Sequence, residues 1–263
     1  MTDSAGLATP TGSPLPFHGP IGCRRCWGNS GANVLTTGDG RFRVVNDPGA
    51  WGSSRPKILV LGISKGFTQV DAFAAGNFDE VPFKDCRDRL NQSLSAIGIL
   101  TPGQSVDPLM KSDETTFGWG SLVRCSLSGW NKKQKKFMAG TPEVLPGFRH
   151  PEIQRFVQGC MKQYLSVLPQ ETKLVVLLGN DNKYIDSVAK ELDRVYGPRY
   201  CRMPPVAHMT DRVLWVHTGH PSRGNGHLTE FLKGDGTTGQ SRKREKAAEA
   251  IRKHLPAHAL TDG

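Results

Sequence analysis

The sequence predicts an α/β sandwich built on a mainly parallel central sheet. Three apolar runs carry that expectation: "KILVLGI" (57–63), "KLVVLLGN" (173–180) and "RVLWVH" (212–217). Each is short, continuous and bounded by glycine or polar residues, as strands buried on both faces are. Segments with helical spacing follow them, and alternation of strand and helix builds parallel sheets whose loops gather at the carboxyl ends of the strands. The loops after the three runs are therefore expected to share one edge.

In chain order, residues 1–20 are rich in Pro, Gly, Ser and Thr without periodicity, which predicts a mobile tail ahead of a single domain over 21–256. In "CRDRLNQSLSAIGI" (86–99), Leu90, Leu94 and Ile97 recur at helical spacing. The stretch 126–150 contains "NKKQKKF" (131–137), with four lysines and no periodic apolar pattern, and reads as a basic insertion. "PEIQRFVQGCMKQYLSVL" (151–168) places Ile153, Phe156, Val157, Cys160, Tyr164 and Val167 on one helical face, with proline in the first turn. "DNKYIDSVAKELDRV" (181–195) is a further helix. "GQSRKREKAAEAIRKHL" (239–255) is a terminal one, with an apolar stripe through Ala247, Ala250 and Ile251 between basic ends. Residues 257–263 are expected to be flexible.

At 263 residues the chain is long enough for one large core, and its formal charge of +10 favours a polyanionic partner, chiefly nucleic acid. Its start has no basic segment followed by an apolar one, and no run approaches the length of a membrane span, so a soluble, cytoplasmic protein is expected. In that compartment six cysteines point to thiolate ligands or buried thiols rather than disulfides.

Cys23-Arg-Arg-Cys26 is a C-x-x-C, a spacing that lets two thiolates bind one metal or one cluster edge. A redox dithiol fits poorly, because that motif belongs at a strand-to-helix turn. The remaining ligands must come from Cys86, Cys125, Cys160 and Cys201, among which spacing does not choose, and zinc suits four thiolates as well as iron does. "GISKG" offers backbone N–H groups and Lys65 as a phosphate-binding turn, without full P-loop spacing. "VHTGHPSRGNGHL" (216–228) crowds His217, His220, Arg223 and His227 into one turn-rich loop, more polar chemistry than a turn requires.

Taken in order, "GCRRC", "ILVLGISKG", "VPFKDCRDRLNQSLSAIGI", "GSLVRC", the helix carrying Cys160, "KLVVLLGN" and "GHPSRGNGHLT" resemble the iron-sulfur uracil-DNA glycosylases of families four and five, family five more closely. The resemblance spans Gly22 to Thr229. It implies a three-layer α/β/α sandwich, a monomer, and a DNA repair enzyme that removes uracil or a related deaminated base. It also implies a 4Fe-4S cluster on Cys23, Cys26, Cys125 and Cys160, with Cys86 and Cys201 as ordinary thiols. Phe83 falls at the family's base-stacking phenylalanine and His220 at the histidine that stabilises the departing base. Gly62, Ile63, Ser64 and Ser121 fall in the base-binding segments. Asp85 is the candidate general base, with Asp88 and Asp71 behind it. Ser222, Arg223 and Asn225 would contact DNA from the histidine loop, and Lys132 and Lys133 from the basic insertion.

Two positions depart from the family pattern. Ile63 stands where family four has an acidic residue, and Ser121 replaces an asparagine that pairs with a pyrimidine edge, so the preferred lesion is open. Two rivals follow from the same residues: a non-catalytic DNA-binding relative that keeps cluster and fold, and a zinc-containing nucleotide-binding protein built on "GISKG".

Overall fold

The structure, a computed structural model, describes residues 15–28, 31–66, 78–101 and 103–255. Its larger sheet contains β1 (Gly19–Pro20), β4 (Gly49–Gly52), β5 (Ile58–Gly62), β6 (Phe117–Ser121), β9 (Leu174–Leu178), β10 (Tyr200–Met203), β11 (Ala207–Thr210) and β12 (Val213–Thr218). The strand order is β1-β4-β6-β5-β9-β12-β11-β10. The four central strands β6, β5, β9 and β12 are parallel to one another. The outer strands pair antiparallel on both flanks, so the sheet is mixed and "mainly parallel" describes only its centre. The flanking strands, with sequences such as "GAWG" and "YCRM", carry glycines or exposed polar residues and lack the unbroken apolar run that marks the central ones.

Along the central strands side chains alternate between two apolar clusters. Leu59, Leu61, Val175, Leu177 and Trp215 pack with Phe156 and Val157 of α3 (Pro151–Tyr164) and with Val188 and Leu192 of α4 (Asn182–Tyr196). Ile58, Val60, Val176, Leu178 and Val216 pack with Leu90 and Leu94 of α1 (Arg87–Ala96), Phe231 of α5 (Leu228–Lys233) and Ala247 and Ile251 of α6 (Gly239–His254). Helix α3 stops at Tyr164, so Val167 lies beyond it, half-exposed rather than on the buried face. Among the described residues no helix is long and apolar enough to cross a membrane.

A second, antiparallel sheet has the order β2 (Val34–Thr36), β3 (Phe42–Val45), β7 (Ser126–Asn131), β8 (Lys136–Met138). Here the expectation of an inserted basic loop at 126–150 is corrected. Lys132, Lys133 and Lys135 occupy the turn of the β7–β8 hairpin. Leu127, Val144 of the short α2 (Thr141–Val144) and Phe148 are core residues. Short strands of alternating small residues, "SLSGWN", leave no apolar period to read. The expected tail is also shorter than composition suggests: Leu15 is buried, its N–H donates to Ser54 O (2.8 Å), and Gly19–Pro20 pair with β4. Residues 1–14 and 256–263 lie outside the described residues.

Two histidines are buried where β11 meets β12. Tyr200 Oη–H donates to His208 Nδ1 (3.0 Å), His208 Nε2–H to His217 Nε2 (3.1 Å), and His217 Nδ1–H to Gly179 O (2.8 Å). That chain of donors is satisfied only when both rings are neutral. Burial, aided by the cation of Arg202, holds His208 down at about 4. Burial, with His208 beside it, holds His217 well below its ordinary value. An unfolded chain takes up both protons as pH falls through about 6.5, whereas the folded protein does not until about 4 or below, so stability declines across that window. Urea unfolding near pH 7 and near pH 5 should show a loss of roughly 1–3 kcal/mol per histidine. Equal stability at the two pH values would contradict the neutral pair.

Candidate functional site

The central parallel strands end on one edge, and the loops after β5, β6 and β12 meet there. A cavity of about 360 Å³ opens at this edge. Its walls are Gly62, Ile63 and Ser64 after β5, Gly120 and Ser121 at the end of β6, Pro82 and Phe83 in the turn before α1, and His220 and Ser222 after β12. Seven residues singled out in the sequence thus share one enclosure. The loop after β9 does not join them. Gly179 O accepts from His217, and Asn180 binds Gln240 and Lys243 of α6.

Phe83 is presented by a tight turn. Its φ is +55° and that of Asp85 is +65°, a left-handed backbone that costs about 1–3 kcal/mol each outside glycine. Hydrogen bonds hold the turn in place: Cys86 N–H donates to Phe83 O (3.0 Å), and Arg87 donates to Pro82 O (3.1 Å) and Asp79 O (2.8 Å) while pairing with Asp107 (2.6 Å). The Phe83 ring meets Trp119 edge-on at 5.9 Å and leaves part of its surface on the cavity. Asp85 points elsewhere. It is exposed, is not part of the cavity wall, and acts electrostatically on Cys86 together with Arg223. Asp88 is exposed on α1, and Asp71 lies outside the described residues.

His220 is positioned by a loop fastened at both ends. At its start Ser93 Oγ–H donates to Gly219 O (2.6 Å) and Thr218 Oγ1–H to Ser93 O (3.2 Å), tying the end of β12 to α1. A Cβ on Gly219 would come within 2.7 Å of Leu228, so only glycine lets the loop pack this closely. Further along, Arg89 donates to Asn225 O (3.0 Å). Asn225 Nδ2 donates to His220 O (2.8 Å), and its Oδ1 accepts from His227 N–H (3.1 Å). Asn225 therefore braces the loop instead of reaching outward, and Arg223 is its exposed tip. Ser222 N–H donates to His220 Nδ1 (3.1 Å), which leaves the proton of a neutral imidazole on Nε2. Burial, with Arg89 nearby, holds His220 down at about 4, so the ring is a neutral donor at physiological pH.

Two expected anion contacts are employed otherwise. Lys65 is 2% exposed, pairs with Asp47 Oδ2 (3.1 Å) and also donates to Asp47 O, while Asp47 accepts from Ser126 N–H and Oγ–H. It ties the first cavity loop to the second sheet, and its charge is taken up by the Asp47 carboxylate instead of being offered to a phosphate, which corrects the phosphate-turn reading. Lys132 and Lys133 are not in the cavity wall. They line a separate groove with Arg41 and Trp130.

The four cysteines named as ligands gather on the other side of Gly120. Cys23 precedes the first 3₁₀ turn (Arg25–Trp27) and Cys26 lies within it, Cys125 sits in the bend between β6 and β7, and Cys160 is on α3. The strand before Cys125 stops at Ser121. Burial, then the neighbouring thiols, raise Cys125 to about 12 and Cys160 to about 11. Each of the four acts on at least one other. Among the described residues no three His, Cys, Asp or Glu side chains already stand in metal-binding geometry. Cys86 caps α1 at the cavity, and Cys201 is exposed on β10.

Between cysteines and cavity lies Arg124, 2% exposed. Its guanidinium stacks on Tyr164 (5.4 Å), forms no ion pair among the described residues, and leaves Nε and Nη1 without partners. Cys160 and Tyr164 are the groups that favour its charge. Trp27 Nε1, also buried without a partner within hydrogen-bond distance, favours the Cys125 thiolate. A Cβ on Gly120 would fall 1.7 Å from Arg124 Nη1, so the guanidinium lies directly against the cavity wall.

Sequence reasoning missed Trp51, Cys86 and Thr141 in the cavity wall. Trp51 comes from an unreadable glycine-flanked strand and is fixed by its Nε1–H to Phe78 O (2.9 Å). Compared with known proteins, the chain matches no family model and no curated sequence.

The loop geometry fixes an expected titration. In ¹⁵N NMR, His220 should remain neutral, with its proton on Nε2, down to about pH 4. A midpoint near the ordinary 6.5 would contradict the enclosure of the ring.

Proposed function

We propose that the protein is an iron-sulfur DNA glycosylase of the uracil-DNA glycosylase superfamily, an α/β/α sandwich that hydrolyses the N-glycosidic bond of uracil or a related deaminated base after base flipping. One observation supports this most: Phe83, His220, Ser121 and Gly62–Ser64, from four separated segments, line a single cavity. An extruded base needs an aromatic face, polar groups at its edge and a donor where charge develops. Phe83 supplies the face. The Gly62–Ser64 backbone and the Ser121 hydroxyl supply the edge contacts.

His220 supplies the donor. Its Nε2–H faces a base whose oxygen becomes negative only as the glycosidic bond breaks, so the hydrogen bond strengthens in the transition state. Among the described residues no carboxylate lines the cavity. Stabilisation of the departing base therefore carries more of the rate than activation of water, and Asp85, outside the wall, carries the smaller share.

The same reading assigns Cys23, Cys26, Cys125 and Cys160 to a 4Fe-4S cluster. The donor set fits: four thiols meet beside a buried guanidinium without an ion pair among the described residues and a buried indole N–H, both of which favour ionised sulfur. Such a cluster, when bound, supplies a structural cross-link and negative charge. Arg124 would balance that charge and hold the Gly120 wall.

The cavity without a carboxylate also favours a second reading, a DNA-binding relative that has lost base removal. Incubation with uracil-, hypoxanthine- and xanthine-containing oligonucleotides, followed by cleavage of abasic sites, separates the two. Base release from at least one is expected, with His220→Ala lowering it about 10²–10³-fold and Asp85→Asn less than about 10-fold. No release from any of the three sinks the enzymatic reading and leaves the second. Purified protein should be brown and contain about four irons per chain, and Cys125→Ser should abolish iron binding. Zinc in their place would overturn the cluster assignment.

A further inference from the structure

We propose that a basic groove beside the cavity carries the phosphate backbone of the DNA strand flanking the extruded nucleotide, on one side only. The proposal rests on the DNA reading above. Two concave surfaces, of about 710 and 490 Å³, share Arg41, Pro142 and Pro146 and so form one continuous groove. Thr141 belongs both to this groove and to the base cavity, so the two adjoin there.

Charge selects its occupant. Lys132 and Lys133 line one end, Arg41 the middle, and Arg149 and Lys183 the other end, and all are exposed. The two carboxylates in the wall are already engaged. Glu143 accepts from Asn131 Nδ2 (2.8 Å), and Asp181 caps α4 by accepting from Lys183 N–H (2.9 Å). Arg41 keeps an exposed partner in Asp39 (3.5 Å), while Lys132, Lys133, Arg149 and Lys183 form no ion pair with a described residue. Five exposed cations, four of them without an ion pair to a described residue, along a groove that adjoins a base-sized cavity suit a polynucleotide backbone, whose binding releases condensed counterions. Prolines 142 and 146 stiffen the wall, so little conformational freedom is given up when a strand lies along it.

The test measures binding of undamaged single-stranded DNA by fluorescence anisotropy over a range of salt. It is therefore independent of whether any base is released. Lys132→Glu with Lys133→Glu, and separately Arg149→Glu with Lys183→Glu, should each weaken binding about 10-fold and flatten the salt dependence by about 0.7 for each phosphate no longer neutralised. Arg252→Glu with Lys253→Glu, an exposed pair on α6 with the same charge change, should not. Lengthening the flank of a uracil-containing oligonucleotide should raise affinity on one side of the uracil and not on the other. Equal weakening by all three double variants, wild-type binding by both groove variants, symmetric flank dependence, or tighter binding of RNA of the same sequence would each overturn the groove. Base release with an inert groove leaves the catalytic reading standing, and an active groove without base release leaves the groove standing.

Discussion

A guanidinium taken out of water costs several kcal/mol unless an opposite charge accompanies it. Arg124 is in that position, and the groups around it are arranged by its need. Tyr164 offers a π face. The thiol of Cys160 offers a charge when ionised. Gly120 has no side chain because the guanidinium occupies its space. The bend that carries Arg124 and Cys125 also takes the chain from the large sheet to the small one, so one buried cation joins the cysteine site, the cavity wall and the contact between the sheets. Burial raises the thiols of Cys26, Cys125 and Cys160 and so leaves that cation uncompensated, and thiolates on a metal would compensate it.

A second constraint acts on the cavity from the opposite side. Helix α1 holds both ends of the histidine loop, through Ser93 at Gly219 and Arg89 at Asn225. The turn ahead of the same helix holds Phe83 in a backbone conformation it would not adopt alone. The Phe83 ring and the His220 imidazole are thus set by one rigid element. Such preorganisation lets a donor act without rearranging when charge develops.

What was legible in the sequence followed physical signal strength. Uninterrupted apolar runs gave β5, β9 and β12, and periodic Leu90, Leu94 and Ile97 gave α1, because burial on a regular lattice leaves a regular trace. The flanking strands and the whole second sheet left none. They are mostly short, glycine-bearing or half-exposed, and their pairing is decided by partners distant in the chain. Phe83, His220 and Ser121 were identified by resemblance and were brought together by the fold. Trp51 was invisible because nothing local marks it. Lys65 and Asn225 show the converse: residue types suited to ligands, used here to hold loops.

The histidine loop has a division of labour along its length. Its first residues are clasped to α1, Asn225 closes the loop on itself, and Arg223 and Gly224 between them are exposed and take part in none of these bracing hydrogen bonds. Substitutions at 223–224 can therefore be absorbed without displacing the imidazole that precedes them, whereas their number is fixed by Asn225 N–H donating to Ser222 O (3.0 Å) and Asn225 Nδ2 donating to His220 O across them. The tip behaves as an exchangeable cartridge on a fixed mount. Selection, or a library built at those two positions, can vary the exposed surface beside the cavity while the imidazole inside stays where it is.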